Sequence, residues 1–222
     1  MNLNDQSEKL LYAAKTGRPT EALVRGLAET PFRQLTGELN DDTHKLAFWI
    51  NAYNAYFLIL RHEKGLQRPG IFRQKAVRIA GRDFSLDDIE HGILRRNRWK
   101  WSLGYLPYPF APKLLRQLAV ARIDPRIHFA LNCGARSCPP IAFYSPDKLD
   151  RQLDLATRSF LESETDFLPE KKEVCTTRLL LWYQGDFSGM RGVRKTLERV
   201  LERDLAGWRV RFGGYDWGEI QG

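Results

Sequence analysis

The sequence predicts an α+β fold in which one buried central helix packs on a small, mainly antiparallel sheet. Three observations predict it. Residues Leu46 to Leu60 are apolar almost all round, as in a helix buried on every side. Three short segments, Val77–Ile79, Ile127–Leu131 and Trp208–Phe212, carry the alternation of strands. Helical and extended segments also follow one another without a regular βαβ rhythm, which excludes a doubly wound sheet.

The elements follow in order. The first forty residues read as amphipathic helix around Leu10–Lys15 and again around Glu21–Leu27. The central helix is capped by Asp41 or Asp42 and stopped by Gly65. AVRIAGRDFS is a hairpin turning at Ala80-Gly81. Ser85 opens SLDD, a capping-box pattern, and a helix to about Arg96. PKLLRQLAV is a short helix, Arg126–Leu131 a buried strand, and NCGARSCPP an irregular loop. Ser145-Pro146 starts a helix to about Leu161. Residues 172–177 form a strand, RLLLWYQ a helix and Met190–Leu205 another, before the closing strand at Trp208–Phe212. Without repeats or a Pro/Ser linker, residues 1–222 read as one domain, with 1–45 a helical N-terminal extension.

Composition narrows the function classes. Six Trp and 12 % aromatic residues exclude disorder, and no apolar run is long enough to cross a bilayer. The opening MNLNDQSEKLLYAAK lacks a basic region followed by an apolar one. The expected location is therefore cytoplasmic as written, or periplasmic or secreted where a leader has been removed. A net charge of +8 favours anionic partners, but no nucleic-acid motif accompanies it. Weak contact with anionic surfaces is the expectation, without specific nucleic-acid binding or a transmembrane segment. RRNRWKW interleaves Arg95, Arg96, Arg98 and Lys100 with Trp99 and Trp101. It suits nucleic acid, lipid headgroups or an acidic substrate, although a solvated face with locally packed Trp is the preferred reading.

The candidate chemistry centres on NCGARSCPP. Gly134 permits positive φ, so successive N–H groups there can converge on an anion. Cys133 or Cys138, with Arg136 nearby, is a candidate nucleophile; a disulfide and a pair of buried structural cysteines are the competing readings. Three cysteines preclude a complete disulfide framework, and a Cys133–Cys138 bridge would leave Cys175 free. On an ideal strand His128 shares a face with Ala130 and Asn132, away from Cys133, and reads first as a core histidine. Glu90 falls within the apolar stripe of Leu86, Ile89, Ile93 and Leu94, so it needs a partner; an arginine is the first choice and acid/base work the second. His91 flanks that stripe. Asn51 and Asn54, spaced i, i+3, share a face of the central helix and must meet a polar loop or core group. Without a second tight ligand pair, neither a metal nor a cofactor is expected.

LAFWINAYNA (46–55), SLDDIEHGILR (85–95), DPRIHFALNCGARSCPPI (124–141) and YDW (215–217) resemble the domain of unknown function 547 family. The resemblance covers about 46–217 and implies a bacterial-type protein of unsettled activity. It also implies that Asn51, Asn54, Glu90, His91, His128, Asn132, Cys133, Ser137 and Cys138 gather. A papain- or transglutaminase-like arrangement fits a long helix on an antiparallel sheet, except that Asn51 stands where such enzymes carry cysteine near the start of the helix. The resulting expectation is a thiol-dependent hydrolase or acyl-transferase acting on a small molecule or peptide. Cys133 is its nucleophile and Cys138 the alternative one, His91 or His128 its base, and Glu90 its orienting acid. Asn51, Asn54, Asn132, Arg136 and Ser137 would bind or position. The alternative is a non-enzymatic binding or scaffold module with a polar core and structural cysteines.

Overall fold

The computed structural model describes residues 1–218, and its mixture of helices with two small sheets is α+β. The chain divides into two compact units, each built from separated stretches. The first comprises Met1–Asn97, Tyr108–Ile123 and Ile141–Leu149; the second comprises Arg98–Pro107, Asp124–Pro140 and Asp150 onward.

The first unit holds α1 (Leu3–Lys15), α2 (Glu21–Glu29), α3 (Phe32–Glu38), α4 (Asp42–His62), α5 (Gly70–Arg73), β1 (Val77–Ile79), β2 (Arg82–Phe84) and α6 (Lys113–Leu118). The expected central helix is α4, and its residues from Leu46 to Phe57 are all buried. Asp41 caps it by accepting the His44 N–H at 2.9 Å. That bond holds the Asp41 carboxyl below the usual carboxylate range. Leu3, Leu10 and Leu11 of α1 are fully buried, and α1 packs along α4. The expected N-terminal extension is thus helical, and part of it belongs to this core.

β1 and β2 pair antiparallel as the expected hairpin, with Val77 opposite Phe84. Ala80 and Gly81 both take positive φ at the turn, a requirement of the tight hairpin loops that follow strand twist. Trp49 of α4 meets Phe84 edge-on at 5.4 Å, and the Tyr56 hydroxyl donates to the Arg78 carbonyl. The helix therefore covers the hairpin.

Asn51 and Asn54 are both fully buried. Asn51 donates to the Tyr144 carbonyl at 2.7 Å and accepts the Tyr144 N–H at 3.0 Å. Its amide thus reads the backbone of one residue from both sides. Burial also drives the Tyr144 phenol well above its ordinary pKa, so it stays neutral. Substituting Asn51→Leu strips two buried backbone groups of their partners. We expect a loss of about 2–4 kcal/mol in urea denaturation, and a loss below 1 kcal/mol would contradict this role.

The second unit holds α7 (Leu149–Ser163, apart from its first residue), β3 (Asp166–Leu168), β4 (Glu173–Thr176), α8 (Leu179–Trp182), α9 (Gly189–Leu201) and β5 (Arg209–Phe212). The strand order is β3-β4-β5; β3 and β4 pair antiparallel, while β4 and β5 are parallel. Phe129, Leu161, Val174, Leu180, Val193 and Leu197 form the centre of its core.

The expected strand at Arg126–Leu131 is instead a 3₁₀ helix, Pro125–Phe129. Asp124 accepts the Arg126 N–H at 3.0 Å, and Pro125 supplies a helical φ at the first position. The Arg126 side chain bonds Asp124 and Asp154, which ties this turn to α7. Period-two reasoning about the faces of His128 accordingly fails. The helix opened by Ser85 is also unusual: Asp88–Leu94 is a π-helix, with Arg95 N–H donating to Glu90 C=O. Its capping box forms as read, Ser85 N–H to Asp88 and Asp88 N–H to the Ser85 hydroxyl.

The chain enters the second unit at Arg98, returns at Tyr108, leaves again at Asp124 and returns at Ile141. No single cut separates the units into contiguous halves. We therefore expect one cooperative transition in calorimetry, with matching calorimetric and van't Hoff enthalpies. Two resolved transitions would show that the chain is not one folding domain.

Candidate functional site

The loop NCGARSCPP of the second unit is braced by a disulfide and by hydrogen bonds along its length. Cys133 and Cys138 are joined by a disulfide, with Cα atoms 6.2 Å apart. Cys175, on β4, is free. Asn132 spans the loop from inside: its carbonyl oxygen accepts the Gly134 N–H at 2.7 Å, and its amide donates to the Pro139 carbonyl at 2.7 Å. Gly134 takes the positive φ read from the sequence.

The expected convergence of free N–H groups on an anion is not found. Gly134 N–H serves Asn132, Arg136 N–H serves the Gly218 carbonyl, Ser137 N–H points to the Asp216 carbonyl, and Cys138 N–H serves Ala135. Cys133 N–H faces Cys138 Sγ at 3.0 Å. These donors satisfy the loop and the segment lying on it, because a short loop closed on itself offers its own acceptors first.

That segment is Tyr215–Gly218. The Tyr215 hydroxyl lies 3.3 Å from Cys133 Sγ and 3.2 Å from Cys138 Sγ. Asp216 N–H donates to the Ser137 hydroxyl, and Arg136 reaches the Asp216 carboxylate at 3.5 Å. Tyr215, Trp182 and Trp217 form an aromatic cluster, with centroids 4.5–5.6 Å apart. Arg136, Asp216 and Trp217 are exposed at its outer edge.

His128 lies in the same unit but faces inward. Its Nε2 is 2.8 Å from Asp186 Oδ2, and both side chains are essentially without solvent access. A carboxylate accepts, so Nε2 carries the proton of this bond. The ring stacks on Tyr183 at 3.8 Å. Tyr183 follows Trp182 in sequence, so backbone and ring contacts link His128 to the aromatic cluster.

Glu90, His91, Asn51 and Asn54 belong to the first unit. The Glu90 side chain is largely buried, as its place in the apolar stripe predicts, and lies 3.6 Å from His91 Nδ1. His91 Nδ1 accepts from the Arg95 guanidinium at 2.8 Å, since arginine only donates. Arg95 is itself fully buried. The lone pair a general base would need is thereby engaged. A cleft of about 390 Å³ in this unit, lined by Asp5, Glu8, Lys9, Tyr12 and Phe143, contains none of the sequence-predicted site residues.

A family model described as a protein of unknown function, DUF547, matches residues 37–161. The chain belongs to this family. The match takes in the blocks at 46–55, 85–95 and 124–141, while Tyr215–Trp217 lies beyond it. No curated protein and no solved structure matches the chain.

In this DUF547 member, Asn132, Cys133, Arg136, Ser137 and Cys138 come together around Tyr215–Gly218. Sequence reasoning missed Asp186, Tyr183, Trp182 and the role of Tyr215. Asp186 sits among Gly185, Phe187 and Ser188, where no periodic pattern marks it as buried. Among the described residues, no group of three His, Cys, Asp or Glu is arranged to hold a metal, and no helix is long and apolar enough to cross a membrane. Asp186→Ala leaves the buried imidazole without its carboxylate and should cost about 3 kcal/mol of stability. Asp186→Asn, which keeps an acceptor, should recover part of that loss in the same urea titration. Equal losses would show that the hydrogen bond contributes nothing.

Proposed function

We propose that this chain is a non-enzymatic binding module whose ligand surface is the outer edge of the Cys133–Cys138 loop. The observation that carries this reading is the state of the loop: both sulfurs are joined, and Tyr215 covers them. A disulfide sulfur has no thiolate with which to attack a carbonyl. Four loop N–H groups that an oxyanion hole would need are directed at acceptors within the protein. What the segment presents outward is Trp217, 55 % exposed, and the Arg136–Asp216 pair. An indole face with a guanidinium and a carboxylate at its edge suits a small molecule or peptide that stacks and hydrogen-bonds. Contact with anionic surfaces is the secondary partner class, from the net charge of +8. The disulfide also supports an oxidising compartment, periplasmic or extracellular.

A thiol-dependent hydrolase or acyl-transferase is the second reading, confined to the reduced protein. The oriented His128–Asp186 pair favours it, as does the greater exposure of Cys133 than of Cys138. Excess iodoacetamide on the native, unreduced protein, followed by peptide mass mapping, separates the two. We expect Cys133 and Cys138 to be recovered unlabelled and linked. Fast selective labelling of Cys133 that disappears in His128→Ala would replace the binding module with the enzyme.

A further inference from the structure

Loop 98–107 of the second unit exposes an unusual density of large apolar side chains. Trp101 is 71 % exposed, Leu106 55 %, Tyr105 50 %, Trp99 42 % and Leu103 40 %. A solvated face is the expectation for this run, and both of its indoles are exposed. Scattered apolar residues on a surface need no explanation, but five within one ten-residue loop do.

The loop is held in shape. Arg98 and Pro107 form an antiparallel bridge at its neck, and Trp99 N–H donates to the Leu106 carbonyl at 2.9 Å. The Ser102 hydroxyl donates to the Trp99 carbonyl and accepts the Leu106 N–H. Gly185 N–H donates to the Leu103 carbonyl at 2.8 Å, and a Cβ on Gly185 would collide with the Gly104 backbone. The Tyr105 hydroxyl donates to Gln184. These contacts press the loop backbone onto its own unit and leave the apolar side chains facing water. The exposure is thus a built feature rather than fraying.

Charge identifies the occupant. Loop 98–107 carries Arg98 and Lys100 and no Asp or Glu. Lys100 lies with its ammonium 5.5 Å from the Trp101 ring centroid, and Arg98 reaches the Tyr105 carbonyl. Trp and Tyr favour the headgroup level of a bilayer, with a polar edge in water and a ring in the acyl boundary. Lysine and arginine stems lie along such a surface while their heads meet phosphates.

We propose that loop 98–107 docks the protein on an anionic lipid surface, inserting Trp101 and Leu106 while Lys100 and Arg98 engage lipid phosphates. Docking is peripheral and reversible, because one loop buries far less apolar surface than a spanning helix.

Co-sedimentation with vesicles tests this on the full chain. Mixed phosphatidylglycerol–phosphatidylcholine vesicles should pellet the protein and shift its tryptophan emission to the blue. Pure phosphatidylcholine should bind it about tenfold less well. Trp101→Ser with Leu106→Ser should lower the partition coefficient for mixed vesicles by about tenfold. Lys100→Gln should lower it by about fivefold. The double variant alters exposed positions and Lys100 is half-buried, and unchanged far-UV circular dichroism establishes that both variants fold. Absence of binding to mixed vesicles, equal binding to both vesicle types, or undiminished binding by the double variant overturns the proposal. Binding of a short RNA that is lost in the same variants, without vesicle binding, overturns it in favour of nucleic acid.

Discussion

Asn51 has no contact with water, so its amide must find its partners inside the protein. The same constraint on buried polar groups recurs in both units. Leaving such a group unpaired costs about 1–3 kcal/mol, a large fraction of the stability of an ordinary domain. A helix as apolar as α4 can accept this amide only if a neighbouring backbone turns its own polar groups to meet it. Tyr144 does so with both its N–H and its C=O. The same requirement brings Arg95 to His91 and Asp186 to His128. In these cases a polar side chain that resembles catalytic equipment in the sequence serves as a cross-brace in the structure.

The Cys133–Cys138 loop obeys the same rule with a covalent bond added. Closing a loop this short contributes only about 2 kcal/mol in the chain-entropy account. That is comparable to what two or three well-made hydrogen bonds provide. The disulfide therefore shares the work with Asn132, whose amide ties Gly134 to Pro139, and with the bonds from Arg136 and Ser137 to the chain at 216–218. Tyr215 joins the two systems by placing one hydroxyl against both sulfurs. Reduction would remove one brace among several, so the loop should stay close to its place while its sulfurs change chemistry.

How much of this was legible depends on the range over which each signal acts. The α4 helix, the β1–β2 hairpin and the Ser85 capping box are local patterns, and each formed where the residues placed it. Glu90 was legible as largely buried because its place in an apolar stripe is a local property too. The strand expected at Ile127–Leu131 failed because Asp124 and Pro125 set a helical start that alternation does not register. The π-turn at Asp88–Leu94 was invisible, since a wheel of about 100° per residue presumes the ordinary helix. The pairing of His128 with Asp186 spans 58 residues, and that of Cys133 with Tyr215 spans 82. Only the packed core brings such residues together, and no spacing rule reaches that far.

His91, His128 and the two loop cysteines are engaged within the protein, and the proposed contacts with other molecules rest on what the surface presents. Two features of the second unit qualify, the Trp217 edge beside Arg136 and Asp216, and loop 98–107 with its outward Trp and Leu side chains. Both are mounted on backbone fixed by several bonds, the first by the disulfide loop and the second by Gly185 and the Arg98–Pro107 bridge. That mounting matters energetically. Ordering a mobile side chain at an interface costs about 0.5–1.5 kcal/mol, so aromatic groups on a fixed frame retain more of their burial energy on contact. Internal bonding and the outward display of aromatic rings are thus two consequences of one arrangement: polar groups committed inward stiffen the loops, and the stiffened loops can hold those rings exposed to water.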